Sequence, residues 1–190
     1  MLCSGCASLK ESWSENYALA SNGTKVSQPE INDGNLKTLG ATQYPKREYD
    51  IILPEEKVIN RIVVYSGNLK SYDLLCLDSK TKKWVSVGSL GEKSGRKNIY
   101  SDQYKMSVPR FDHRLRFKTD RVKLAVIRTT SDGVVTTRTP AKNAKIINQR
   151  TEYLQMGRDR VRVDLYDVFV FSAAAVREIE IYSHADKPKK

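Results

Sequence analysis

Residues Tyr49–Val87 read YDIILPEEKVINRIVVYSGNLKSYDLLCLDSKTKKWVSV, and this stretch decides the fold. Its Ile, Val, Leu, Tyr and Trp residues are concentrated in short runs, which Pro54, Gly67-Asn68 and Asp78–Lys82 separate with turn signals. Apolar residues such as Ile62 and Val64 recur at every second position, the period of a β-strand. The stretch therefore predicts four short strands: Tyr49–Leu53, Val58–Ser66, Tyr72–Asp78 and Lys83–Val87. Strands with one apolar face need a second layer to bury it, which predicts a β-sandwich.

Three later segments continue the alternation: Val122–Thr129, Arg160–Leu165 and Val176–Tyr182. In the second of them Val161, Val163 and Leu165 alternate with charged residues, which predicts a half-buried strand. Asp167–Phe171 is apolar on both faces and is predicted to be a central strand. No segment shows a sustained period of 3.6 residues, and Lys10–Ala20 forms at most one short helix. The predicted class is all-β.

The composition describes a water-soluble, strongly basic chain of one domain with appendages. Of 190 residues, 39% are hydrophobic and 29% charged, and no apolar run approaches the roughly 18 residues that a membrane helix needs. The formal net charge of +11 is well away from neutral. Such a charge attracts nucleic acid, anionic lipid, acidic polysaccharide or an acidic protein, and it is equally compatible with a merely solvated surface.

The sequence offers little for catalysis. Three cysteines lack the spacing of a zinc site, and Cys76 lies within an apolar run, where a buried structural thiol is expected. His113 and His184 are the two histidines available to a nucleophile, and no phosphate-binding loop or hydrolase motif occurs. We therefore predict that the protein is not an enzyme.

The N-terminal residues Met1–Leu9, MLCSGCASL, resemble the end of a bacterial lipoprotein signal, in which small residues precede a lipidated cysteine. Cys6 is the predicted lipidation site, and residues 1–15 are predicted to be a signal remnant and tether. Acyl chains would then be the membrane attachment, and the cell envelope the predicted location. The alternative is an ordinary cytoplasmic N-terminus with two incidental thiols. Residues 186–190 are predicted to be a disordered basic tail.

Several segments in collinear order resemble the discoidin, or coagulation factor 5/8 type C, domain. They are NYALASNGTKVS from Asn16, INDGNLKT from Ile31, the two strands beginning at Val58 and Ser71, and VREIEIYS from Val176. This family belongs to the galactose-binding-like superfamily of jelly-roll β-sandwiches, so the resemblance implies that fold over residues 16–185. A tryptophan that the family usually has after the DGN segment is replaced by Leu39-Gly40.

The Ile31–Thr38 bend is a candidate cation site. Asp33 and the Thr38 hydroxyl, five residues apart, place oxygens around a tight turn at Gly34, and hard cations such as Ca²⁺ prefer oxygen ligands. The resemblance implies a calcium loop at this turn, closed by a glutamate of the last strand, which corresponds to Glu178. Alternatively, Asp33 caps its own turn and Glu178 is solvated, or Arg177 or Lys37 takes the place of the ion.

A ligand surface is predicted at loops of one end of the sandwich: Tyr65–Tyr72, Gly91–Tyr104 and Arg110–Arg116. Sugar sites combine an aromatic ring with polar donors, since a pyranose has an apolar face and a ring of hydroxyls. The candidate ligand residues are Tyr72, Tyr100, Phe111, His113 and Arg114. Each has an ordinary alternative, as a core ring, a surface imidazole or loop packing.

A basic insertion at about residues 130–160 interrupts the resemblance. The stretch Arg128–Arg162 holds eight basic and three acidic residues, with Tyr153 as its one aromatic residue. Few aromatic residues argue against stacking of nucleic-acid bases, so nucleic acid is not a favoured partner. The insertion is predicted to be an interaction loop or a solvated excursion, and the candidate contacts are Arg138, Lys142, Lys145, Arg150 and Arg158.

The sequence thus predicts a non-catalytic binding module of the cell envelope, most consistent with a glycan ligand. The alternative is a structural subunit of an envelope complex that contacts its partner protein through the basic insertion. Fold alone does not choose between them, because one scaffold serves many ligands. The sequence gives no oligomeric state.

Overall fold

The computed structural model describes residues 12–91, 97–101 and 106–185. Residues 1–11 with Cys6, the basic tail and part of the Gly91–Tyr104 segment lie outside these residues, whereas residues 12–15 of the predicted tether are described. The described part is built almost entirely from β-strands: β1 Lys25–Val26, β2 Gly40–Thr42, β3 Glu48–Ser66, β4 Leu69–Leu77, β5 Trp84–Leu90, β6 Lys97–Ser101, β7 Met106–Thr129, β8 Gly133–Thr137, β9 Lys145–Met156, β10 Asp159–Val170 and β11 Ala174–Tyr182.

Helical structure is limited, within the described ranges, to two 3-10 turns at Ala20–Asn22 and Pro29–Ile31. The short helix considered for Lys10–Ala20 is absent from the described part of that segment. None of the described helices has the length and apolarity needed to cross a membrane. The all-β prediction is confirmed.

Two long strands create the sandwich by taking part in both of its layers. The N-terminal half of β3 pairs with β1 and with the C-terminal half of β7, which continues to β4 and β5. The C-terminal half of β3 pairs with β11 and with the N-terminal half of β7. Beyond these, β2 pairs with β11, and β6 pairs with β7. All pairs are antiparallel, and the sheet curls so that both halves contribute to one core.

The prediction of separate strands at Tyr49–Leu53 and Val58–Ser66 was wrong, because both belong to β3. The register of β3 against β7 shifts between Ile52 and Lys57, which is where Pro54 lies. Proline lacks the N–H that a strand ladder needs, so it is tolerated at such an irregularity. The chain bends there instead of turning back.

The core is formed by the predicted apolar faces. Ile62, Val64, Leu74 and Cys76 are buried in one cluster, together with Ile179 and Ile181 of β11. Burial of each such aliphatic side chain stabilises the fold by about 1.5–3 kcal/mol relative to exposure. The predictions of a buried Cys76 thiol and of a C-terminal strand in the sandwich are confirmed.

The predicted insertion forms a second, three-stranded antiparallel sheet in the order β8-β10-β9. We call this sheet, residues 133–170, the arm. The prediction of a loop was therefore wrong for most of the segment, since β9 and β10 form a hairpin that turns at Gly157, where φ is +65°. Asp167–Phe171 was correctly predicted to supply a central strand, but one that lies in the arm, and Val161 is exposed instead of half-buried.

Candidate functional sites

The Ile31–Thr38 bend and the last strand meet as the resemblance implied. Asp33 Oδ1 accepts hydrogen bonds from the Asn35 amide at 2.8 Å and from the Thr38 hydroxyl at 3.0 Å. Gly34, with φ of +74°, donates its N–H to Glu178 Oε2 at 3.2 Å. A left-handed conformation favours glycine, so Gly34 lets the backbone approach the Glu178 carboxylate.

Glu178 is the unusual residue of this bend, because only 2% of it is exposed and its Oε1 is buried without a hydrogen-bond partner in the described part of the chain. Burial, followed by the nearby charge of Asp33, raises the pKa of Glu178 to about 8. A buried carboxylate is stabilised by a cation or by a proton. Arg177 does not fill that role, since it donates to the Leu36 carbonyl at 2.9 Å.

The residues present fit a hard cation better than a transition metal. Around the Thr38 hydroxyl lie Asp33 Oδ1 and the carbonyl oxygens of Asn35 and Glu30, at 2.6 and 3.3 Å respectively. With Glu178 this is an all-oxygen set that mixes carboxylates, a hydroxyl and carbonyls, as Ca²⁺ prefers. No group of three or more His, Cys, Asp and Glu residues suited to a metal occurs in the described ranges.

The predicted ligand residues Tyr72 and Phe111 are core residues. Tyr72 is fully buried, Phe111 lies against it edge to face, and both belong to the main core cluster. A buried ring has no free face for a sugar, so this expectation is corrected for both residues. The reason is that Arg110–Arg116 lies within strand β7 and not in a loop.

His113 faces inward beside Tyr72. The Tyr72 hydroxyl lies 2.8 Å from His113 Nε2, and burial lowers the pKa of His113 while it raises that of Tyr72. Gly88 of the neighbouring strand fits against the imidazole, since a Cβ there would lie 2.8 Å from His113 Nδ1. This is a structural hydrogen bond within the core. Tyr100 lies on β6, and its side chain is outside the described part of the structure.

Arg114 is the predicted ligand residue that reaches the surface. Its guanidinium lies over the Trp13 ring at 4.5 Å, and Arg61 lies over the same ring at 5.2 Å. Asp112 holds both cations, through a bidentate contact to Arg61 and a 3.6 Å ion pair with Arg114. Trp13 also stacks on His184, with ring centroids 4.8 Å apart.

Next to this cluster the two chain segments that flank the sandwich pair with each other. Ser14 donates its N–H to the Ser183 carbonyl at 3.0 Å, and Ala185 donates to the Ser12 carbonyl at 3.0 Å. The backbone of His184 is tied to Asn60 Oδ1 at 3.2 Å. These contacts place side chains from both flanking segments around one surface depression.

The depression is an open cleft of about 670 Å³. Its lining combines one aromatic ring with hydroxyl, carboxylate, amide and imidazole groups: Ser14, Glu15, Tyr17, Val58, Asn60, Ser183, His184 and Ala185. A second cleft of about 160 Å³ adjoins it, shares Glu15 and Tyr17, and adds Asn22, Glu55 and Lys57. An aromatic ring with convergent polar groups is the usual make-up of a small-ligand site.

Sequence reasoning missed this cleft because the ligand surface was expected in loops, whereas the cleft is lined by strand β3 and the two flanking segments. Tyr17 and His184 are far apart in sequence, and neither lies in a loop that the strand pattern singled out. The aromatic and polar content of Trp13–Tyr17 was the one local signal that pointed to it.

The candidate interaction residues divide between the arm and its connection. Arg138 and Lys142 lie between β8 and β9, whereas Lys145 and Arg150 lie on β9 and Arg158 at the hairpin turn. Arg150 is ion-paired with Glu152 at 2.8 Å and with Asp167 at 2.6 Å. The hairpin 145–170 carries five basic and four acidic residues, so it is nearly neutral. The excess of positive charge lies elsewhere.

No family model matches the sequence, and no curated protein matches it. Solved structures do resemble the protein over most of its length. The family 32 carbohydrate-binding module of C. perfringens NanJ, solved in complex with galactose, has a TM-score of 0.50 at 10% identity, and the match covers 92% of this chain and 100% of that one. The protein has the fold of a family 32 carbohydrate-binding module.

A second such module, from Streptococcus pneumoniae EndoD, matches with a TM-score of 0.51 at 13% identity, over 88% of this chain and 99% of that one. A truncated AlyQ with family 32 and alginate lyase domains matches with a TM-score of 0.51 at 8% identity, over 94% of this chain and 35% of that one. The predicted galactose-binding-like sandwich is therefore confirmed as the fold.

Proposed function

We propose that this protein is a non-catalytic glycan-binding module and that the glycan occupies the cleft at Tyr17, Asn60 and His184. The observation that carries the proposal is the composition of that cleft, in which one aromatic ring is surrounded by hydrogen-bonding side chains on an open surface. An open cleft gives access to a sugar within a longer chain. The structures that share the fold and bind or are named for carbohydrates support the same class of ligand.

The chemistry of the cleft gives each group a role. The Tyr17 ring supplies an apolar surface for the C–H face of a pyranose. Glu15 accepts hydrogen bonds, while the Asn60 amide and the His184 imidazole both donate and accept. Sugar hydroxyls also do both, so this mixture suits them better than it suits a phosphate, which only accepts. The nearby cations Arg61 and Arg114 are already held by Asp112.

A glycan array that contains neutral and acidic sugars, followed by calorimetric titration of the hits, is the direct test. Tyr17→Ala should abolish measurable binding, while Tyr17→Phe, which keeps the ring, should retain most of it. His184→Ala should weaken binding about tenfold, since a hydrogen bond to a ligand contributes about 0.5–1.5 kcal/mol. The matched control is Trp84→Ala, which removes an exposed ring on β5. Silence across the array, or loss of binding in the control alone, would overturn the proposal.

The proposed cation is Ca²⁺ bound by Asp33, Thr38 and Glu178 with nearby carbonyl oxygens. In this position it would stabilise the bend that joins the last strand to the Ile31–Thr38 segment. It would take no part in ligand binding.

The predicted location in the cell envelope depends only on the Ser4-Gly5-Cys6 segment. We propose lipidation of Cys6, and metabolic labelling with a fatty-acid analogue in a bacterial host tests it. Cys6→Ser should lose the label, whereas the matched variant Cys3→Ser should keep it. Equal labelling of the two variants would refute the assignment.

A further inference from the structure

Strand β9 leaves a long edge open on the arm. Among the described strands it pairs with β10 alone, so one side of Lys145–Met156 presents unpaired backbone N–H and C=O groups. An exposed edge strand is a template for pairing with another strand. Most natural edge strands are short or are protected, which makes a twelve-residue edge notable.

The usual protective features are largely absent from β9. It contains no proline or glycine, and its single lysine stands at one end. Its register with β10 shifts once, at Ile147, and is regular from Asn148 to Met156. Large apolar side chains are exposed along it, among them Tyr153 at 57% and Met156 at 62%. Such a strand is stabilised by burial against a partner.

The side-chain pattern of β9 is complementary to itself. In an antiparallel pair centred on Thr151, Arg150 of each copy lies opposite Glu152 of the other, and Tyr153 lies opposite Gln149. Asn148 then lies opposite Leu154, and Ile146 comes level with Met156. Opposite charges directly across a strand pair are stabilising, and like charges are destabilising. In this register both charge pairs are favourable at once.

The charge of the β9–β10 hairpin permits such an association. Although the chain carries a formal charge of +11, the hairpin 145–170 has only one more basic than acidic residue. Repulsion at the contact is therefore weak, and an acidic partner has no net positive surface to recognise there. This favours a second copy of the chain over an anionic macromolecule.

We propose that two copies of this protein associate through strand β9, antiparallel and with the twofold axis at Thr151, to form a continuous six-stranded sheet from two arms. The interface is isologous, because each copy uses the same strand. Two cleft-bearing sandwiches joined in this way would bind a repeating polymer with increased avidity.

Sedimentation velocity of charge-reversed variants tests the register. Arg150→Glu places Glu opposite Glu at both pairs, and Glu152→Arg places Arg opposite Arg, so each variant alone should be monomeric at concentrations where the natural chain is dimeric. An equimolar mixture of the two restores opposite charges at both pairs and should form a heterodimer. Lys142→Glu, the matched charge change outside the strands, should leave the dimer intact.

Disulfide cross-linking gives an independent test in a Cys3→Ser, Cys6→Ser background. Thr151→Cys places the two thiols opposite each other, at a Cα separation of about 4.5–5.5 Å that suits a disulfide. It should form a covalent dimer on mild oxidation, whereas Gln155→Cys, which does not face itself, should remain monomeric. A natural chain that is monomeric at all concentrations, a mixture that does not associate, or equal cross-linking of the two cysteine variants would overturn the proposal.

Discussion

Arg47 and Asp132 form a buried ion pair where the arm leaves the sandwich. Arg47 Nη1 lies 2.9 Å from Asp132 Oδ1, and their side chains are 4% and 0% exposed. Asp132 also accepts hydrogen bonds from the amides of Thr129 and Ser172, both at 2.9 Å. Although burial raises the pKa of Asp132, these hydrogen bonds outweigh it and lower the pKa to about 2. The carboxylate therefore joins the two strands between which the arm is inserted.

Loss of this carboxylate should destabilise the protein strongly. Asp132→Asn leaves a buried guanidinium without its counter-charge, and we expect the free energy of unfolding to fall by about 3–5 kcal/mol. Urea denaturation measures it. In the double variant with Arg47→Met, the free energy of unfolding should fall by less than the sum of the decreases in the two single variants, because neither charge is then left unpaired. Asp159→Asn, the same change at an exposed carboxylate of the arm, is the control and should change stability by less than about 0.5 kcal/mol.

The stability of the calcium-free protein should depend on Glu178 between pH about 4.5 and 8. Its pKa is raised from 4.5 to about 8 in the folded protein, so the folded state holds a proton that the unfolded state releases over this range. The contribution of the protonated Glu178 carboxyl to stability is fully present below pH about 4.5 and is lost as the pH rises through about 8. Thermal melts in a chelator should show this slope, and Glu178→Gln should remove it. An unchanged slope in the variant would assign the effect to another group.

Calcium should restore the stability that the protein loses when Glu178 ionises at high pH. At pH 8 we expect added Ca²⁺ to raise the melting temperature of the natural protein, because the cation stabilises the ionised form of a carboxylate that is otherwise buried alone. Mg²⁺ should have a smaller effect, since it prefers a tighter octahedral shell. Glu178→Gln and Asp33→Asn should each reduce the response, while Glu180→Gln, on the same strand, should keep it. A natural protein that does not respond to Ca²⁺ would contradict the proposed cation site.

The Tyr72–His113 hydrogen bond should matter for stability and not for ligand binding. Tyr72→Phe leaves His113 Nε2 buried without its partner, and we expect a loss of about 1–3 kcal/mol in chemical denaturation. The affinity for any glycan found on the array should not change, because Tyr72 has no exposed surface. Reduced affinity with unchanged stability would restore Tyr72 as a ligand residue.

The sandwich should fold without the arm. The hydroxyls of Thr129 and Ser172 lie 2.6 Å apart, so the two ends of the inserted segment are adjacent. Replacement of residues 134–170 by a short glycine-serine turn should give a cooperatively folding protein that keeps its glycan binding and is monomeric. Circular dichroism, calorimetry and sedimentation measure these three properties. A shortened chain that fails to fold would show that the arm is part of the core.

Sequence reasoning predicted the class, the core positions and the meeting of the Ile31–Thr38 bend with the last strand. It succeeded where large aliphatic residues recur at every second position, as at Ile62, Val64 and Ile179. It failed at RFDHRLR, where abundant charges obscured the same period: Phe111, His113 and Leu115 face inward while Asp112 and Arg114 face outward. Counting alternation without regard to charge would have placed this segment in a strand.

The arm shows a different limit of local patterns. Alternation at Val161, Val163 and Leu165 correctly predicted a strand, but it carries no information about the sheet that the strand joins. Nor does it indicate the ion pair at the base of the arm between Arg47 and Asp132, which are 85 positions apart in sequence. The cleft likewise brings together Tyr17 and His184, which are distant in sequence. Both features arise from the tertiary structure, which a period in sequence does not encode.

The pairing of Ser12–Ser14 with Ser183–Ala185 brings the polypeptide into the sandwich and out of it at one place. A domain whose entry and exit points are adjacent can be inserted into a surface turn of an unrelated protein. The recipient protein would need almost no rearrangement of its own chain. The same adjacency permits a circular permutant, with residues 12 and 185 linked and new ends opened at the Gly157 turn, in which the recognition cleft stays whole.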